Sequence, residues 1–137
     1  MRNRAVVQLS IAVALLIQHS LLAHHSSNLF DTEKKVSLKG TVQEWVYANP
    51  HCMLIFDVKS ADGQVVQWTA ETQAPASIFP AGYRRGSFKA GDQVTITVQP
   101  FKDGRPYGRI VGVVLADGKV LGLVAPPPST AGALPQP

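Results

Sequence analysis

Across residues 36–124 apolar and polar positions alternate with a period of two, the signature of strands buried on one face. Val36, Leu38, Gly40 and Val42 make the first run, and the glycine inside it marks a bend or bulge of the kind found at barrel corners. Cys52, Leu54, Phe56 and Val58 make the second, which ends at the turn Asp62-Gly63. Val66, Trp68 and Ala70 return as the other arm of a hairpin, with Trp68 in phase with the core. Pro75 opens a short helical or irregular connection, and Pro80 cuts it off, since a proline ring removes an amide donor and clashes with the preceding turn. Gly91-Asp92 leads into Val94, Ile96 and Val98. Asp103-Gly104 turns into the strongly apolar stretch 109–115, and Asp117-Gly118 turns that stretch back into residues 120–124.

This order predicts a mainly β chain: a small five- or six-stranded OB-like barrel with one short helical connection between the third and fourth strands. A flat sandwich is the alternative, but the short span and the mid-chain helix favour the barrel. Residues 26–35 are polar and are expected to run extended over the surface.

The two ends carry different signals. Arg2 and Arg4 precede an apolar run over residues 5–17, broken only by Gln8 and Ser10, and Ala23 suits the position before a cleavage site. Leu21 sits where a small residue is usual. A membrane anchor is the competing reading, yet spanning hydrocarbon takes about 20 apolar residues and this run is shorter. The expectation is a removable signal peptide over 1–23 and a periplasmic or secreted barrel domain over 24–124, with no stable membrane insertion after removal. Residues 125–137 (APPPSTAGALPQP) are proline-rich and nearly uncharged, which predicts a disordered tail.

Charge narrows the partners. The chain has 13 Lys+Arg against 9 Asp+Glu, a net charge of +4. Without Arg2 and Arg4 the balance is 13 − 2 = 11 against 9, or +2, which does not predict a polyanion partner. No basic run interleaves with aromatics as a nucleic-acid surface needs, and Arg84-Arg85 reads as a solvated pair. Cys52 is alone and cannot bridge within the chain. Enzyme motifs are missing: there is no glycine-flanked serine elbow, no His-Glu-x-x-His and no carboxylate pair in a motif. The segment GRPYG at 104–108 lacks the strand-to-helix context of a phosphate loop and reads as a flexible turn.

Five segments in order carry a family resemblance: AHHSSNLFD, GTVQEWVYANPH, WTAE, GYRRGSFKAGD and DGKVL. With them the chain resembles the exported bacterial proteins grouped as domain of unknown function 6152, over roughly residues 23–121. Asn49-Pro50-His51 after a Gly-x-Val strand, with Trp68 and Glu71 on the next arm, is the most specific piece. The resemblance implies an exported, OB-like small barrel and no established activity.

Candidate chemistry therefore rests on residues. If Cys52, Leu54 and Phe56 face the core, His51 and Met53 point together to the opposite face. Imidazole and thioether are donors suited to copper, so His51 and Met53 are candidate ligands; the alternative is that His51 locks the turn begun by Asn49-Pro50. Small periplasmic copper and silver carriers are similar in part, with an OB barrel, a histidine, two methionines and a tryptophan. Here Trp45 and Met53 are present, and the other methionine is Met1. Glu71 falls on the His51 face and supports it either as an orienting carboxylate or as a plain ion pair. Cys52, in phase with the core, reads as packing rather than as a thiolate. After cleavage, His24 or His25 beside a free amine would chelate copper(II) in tetragonal geometry, or would be only a polar leader. The sequence thus points to a non-enzymatic binding module. Its metal candidates are His24, His25, His51 and Met53, with Asn49, Glu71 and Trp45 in support. The alternatives are a protein or cell-envelope interaction domain using an open face around Trp45, Tyr47 and Tyr83, or a binder of a small acidic or sugar ligand.

Overall fold

Each apolar run folds as a strand with its apolar members turned to a common interior. In the computed structural model, which describes residues 29–122, the elements are β1 (Val36–Val46), β2 (Met53–Lys59), β3 (Val65–Glu71), a single α-helical turn α1 (Pro75–Ile78), β4 (Gln93–Pro100), β5 (Tyr107–Leu115) and β6 (Val120–Gly122). The signal peptide expected over 1–23, His24, His25 and the proline-rich tail lie outside the described residues.

The sheet order is β3-β2-β1-β4-β5-β6, and β3 also pairs in parallel with β5. That last pairing closes five strands into a mixed barrel, with β6 added along β5. Leu38, Val42, Leu54, Phe56, Trp68, Ile96, Val98 and Val113 fill the interior, and Cys52 is fully buried among them. The OB-like expectation holds, including the helical connection between β3 and β4.

β1 makes the closure possible by serving two partners. Val36 to Thr41 pair with β4, while Thr41 to Val46 pair with β2. The strand must curl between them, and Gly40 sits at the crossing with no room for a side chain. The register with β4 runs unbroken through Gly40, so the bulge expected there lies elsewhere: the β1–β2 register shifts between Val42 and Glu44. Gly40 provides close approach, and the extra residue at Gln43 adds local twist.

Three further expectations are corrected. Pro80 does not simply stop the connection: a 3₁₀ turn (Phe79–Ala81) follows α1 and has the proline in its first turn, where the missing amide costs nothing. Tyr83 is buried rather than on an open face; its hydroxyl donates to the Leu121 carbonyl (3.4 Å) and ties the connection to β6. The segment before β1 is not all surface. Phe30 is buried, bridges to Phe101 and packs edge-on against that ring.

Candidate functional site

The β1–β2 turn and the exit of β3 are clamped together by backbone bonds beyond the strand ends. The Cys52 amide donates to the Gln73 carbonyl (3.2 Å), and the Thr72 amide donates to the Cys52 carbonyl (2.9 Å). The turn, which contains a cis Asn49–Pro50 bond, therefore delivers His51 beside Glu71. His51 Nδ1 stands 3.6 Å from Glu71 Oε2, an ion-pair distance rather than a hydrogen bond. Met53 is the register partner of Glu71, and residues directly opposite on paired strands share a face. His51, Met53 and Glu71 thus gather on the outer side of the β2–β3 hairpin.

Closure of the barrel adds a fourth residue. β5 joins β3 with Tyr107 opposite Thr69 and Arg109 opposite Glu71. The Tyr107 hydroxyl donates to Glu71 Oε2 (2.8 Å), the same oxygen that faces His51. The Glu71 side chain is only 16 % exposed against 49 % for His51, so the carboxylate is the fixed member of the pair. With Nδ1 turned to the carboxylate, Nε2 is the imidazole nitrogen left for a ligand. Among the described residues no three His, Cys, Asp or Glu side chains converge, so the donor set here is mixed: imidazole, thioether and carboxylate.

The other candidates part from this group. Trp45 is opposite Leu54, an inward residue, so its indole lies on the other side of the sheet from Met53. There it packs against Tyr47, Tyr83 and Phe88, and its Nε1 donates to the Arg84 carbonyl (3.0 Å). Trp45 is a strut between β1 and the β3–β4 connection, not a support of His51. Asn49 is exposed within the turn. Cys52 points inward; burial pushes its thiol pKa up, against smaller downward effects of the Ala48 backbone and of the Arg85 charge. A thiol so held stays protonated and is no partner for His51.

Tyr107 was not among the sequence candidates. It lies within the segment GRPYG, expected to be a flexible turn, yet it opens β5 and is half-buried. An aromatic two positions before the predicted strand was the available signal, but its value depends on the β3–β5 pairing.

Burial raises the phenol pKa of both Tyr83 and Tyr107 above the usual value near 10, and for Tyr107 the Glu71 bond and charge add to the rise. The unfolded chain ionises these phenols at about pH 10 while the barrel still holds them neutral. Their contribution to stability is complete below that pH and is lost as pH rises through and beyond it. Urea melts across this range should show a falling midpoint above about pH 10, with a shallower fall in Tyr83→Phe. Equal slopes in wild type and variant would show that Tyr83 is not held neutral by the fold.

No curated protein and no solved structure matches the chain. A family model matches residues 12–110, more than half of the sequence, and the chain belongs to that family of unknown function, DUF6152.

Proposed function

We propose that this chain is an exported, non-enzymatic binding module that takes a copper-type metal ion at the outer face of the β2–β3 hairpin. His51 Nε2 and the Met53 sulfur are the protein donors, Glu71 orients the imidazole, and Tyr107 holds Glu71. The observation that carries the reading is the shared Glu71 oxygen, 2.8 Å from the Tyr107 hydroxyl and 3.6 Å from His51 Nδ1. A carboxylate anchored from behind and aimed at a half-exposed imidazole is the arrangement that orients metal-binding histidines. Thioether and imidazole together favour copper over the harder divalent ions. The charged, then apolar start of the chain supports export.

Copper titration of purified protein tests the reading. His51→Ala should weaken binding while changing stability by less than about 1 kcal/mol, since the side chain is half-exposed. Glu71→Gln should weaken it by about 10- to 100-fold, the usual effect of losing an orienting partner. Met53→Ala should weaken copper(I) more than copper(II), because thioethers favour the softer ion. Acetylating the amine of the processed chain separates His24 and His25 from His51. A His51→Ala protein that melts early but titrates like wild type would make His51 a turn-locking residue and sink the proposal.

A further inference from the structure

A second surface lies where the β3–β4 connection crosses the end of β1, and it is built around Arg84 and Arg85. The Arg84 backbone is fixed on both sides: its carbonyl accepts from Trp45 Nε1 (3.0 Å), and its amide donates to Ser87 Oγ (2.7 Å). Its guanidinium lies over the Phe79 ring, with Cζ 3.5 Å from the centroid. Arg84 Nη1 donates to the Phe79 and Tyr83 carbonyls, both at 2.7 Å. Arg85 Cζ stands 5.5 Å from the centroid of Tyr47. Two exposed arginines are thus held against aromatic rings rather than waving in solvent, so much of the entropy cost of ordering them for a ligand is already met.

Their charge is not matched within the barrel. Among the described residues the ion pairs are His51 with Glu71 and Arg105 with Asp103, and neither Arg84 nor Arg85 reaches a carboxylate. Phe79, the ring beneath the Arg84 guanidinium, is still 53 % exposed, an apolar surface of a size that interfaces cover. Two consecutive cations and a half-exposed aromatic ring are complementary to carboxylates carried on a chain that also bears apolar side chains. Arginine held flat presents its edge donors to a carboxylate in bidentate fashion.

We propose that this surface docks an acidic segment of a partner polypeptide, with Asp or Glu carboxylates received by Arg84 and Arg85 and an apolar side chain laid on Phe79. A membrane surface fits less well, because anionic lipid attraction takes a cluster of about 4–8 basic residues. None of Arg84, Arg85 and Phe79 is a proposed metal donor, so peptide docking and copper binding are measured separately.

Fluorescence anisotropy with a labelled synthetic peptide of Asp, Glu and Leu provides the test. The controls are the same peptide with Asn and Gln replacing the acids, and vesicles of phosphatidylglycerol. The acidic peptide should bind, and more weakly as salt is raised. The amide peptide should not bind, and Arg85→Glu should weaken the acidic peptide at least about tenfold, as reversing a charge at an interface does. Arg85 is exposed, so the variant is expected to melt like wild type. If Arg85→Glu melts early, Arg85→Gln, which only deletes the charge, takes its place with a smaller loss. The proposal is overturned if the amide peptide binds equally, if only vesicles bind, or if charge loss at Arg85 leaves peptide affinity unchanged.

Discussion

Trp68→Ala should cost about 3–5 kcal/mol, the range for deleting a large aromatic from a packed interior. Trp68 is 2 % exposed and sits opposite Phe56 on the neighbouring strand, so the space it leaves is bounded by strands that cannot collapse without opening the barrel. A domain of this size holds only about 5–15 kcal/mol in total, so the variant should be close to unfolding at room temperature. Trp68→Phe sharpens the test. The indole Nε1 is buried with no hydrogen-bond partner, a condition that costs roughly 1–3 kcal/mol. Phenylalanine loses volume but also removes that orphan donor, and the two effects oppose, so Trp68→Phe should lose less than about 2 kcal/mol. Urea unfolding followed by circular dichroism measures both. A Trp68→Ala protein melting within a few degrees of wild type would mean that the indole does not organise the core.

Gly40→Ala comes second, with an expected loss of about 3 kcal/mol from overpacking. A methyl group there would lie 2.6 Å from Phe56 Cδ2 and 2.7 Å from the Asp57 carbonyl oxygen. Phe56 is itself fully buried and Asp57 O is backbone in a paired strand, so neither neighbour can yield cheaply. For a domain of about 100 residues, 3 kcal/mol lowers Tm by roughly 12–24 °C. Gly63→Ala is the contrasting control. Nothing lies within 4 Å of its added methyl, and only its positive φ of 88° opposes the change. It should lose about 1–2 kcal/mol, the usual cost of a left-handed conformation in an L-residue. A loss at Gly40 no larger than that at Gly63 would show that the approach of β1 to β2 has room for a side chain.

The strands and their inward faces were legible because they follow from local chemistry. Alternation at Cys52, Leu54, Phe56 and Val58 is a property of consecutive residues, and all four are buried. The order of strands around one helical connection was equally local, and with it came the OB-like closure. Within the candidate site, the same alternation set Met53 apart from Leu54. The Asp62-Gly63 turn fixed a hairpin in which Glu71 meets Met53. Where bulges intervene the pattern stops being a guide. The register shift between Val42 and Glu44 rotates the end of β1, and Trp45 lands against Phe88 and Tyr83 instead of near His51.

By itself, the sequence determined where the strands run, which residues face the interior, and that His51, Met53 and Glu71 share one side of a hairpin. Only the tertiary structure decided that Tyr107 holds Glu71, that Tyr83 is sealed beneath β6, and that Arg84 and Arg85 lie on aromatic rings. Glu71 and Tyr107 are 36 positions apart, and Tyr83 and Leu121 are 38 apart. Such contacts depend on which strand edge meets which when the barrel closes. Periodicity says which face a side chain takes, but it carries no information about the neighbour across a parallel pairing, because the register there is set by the packing of the whole barrel.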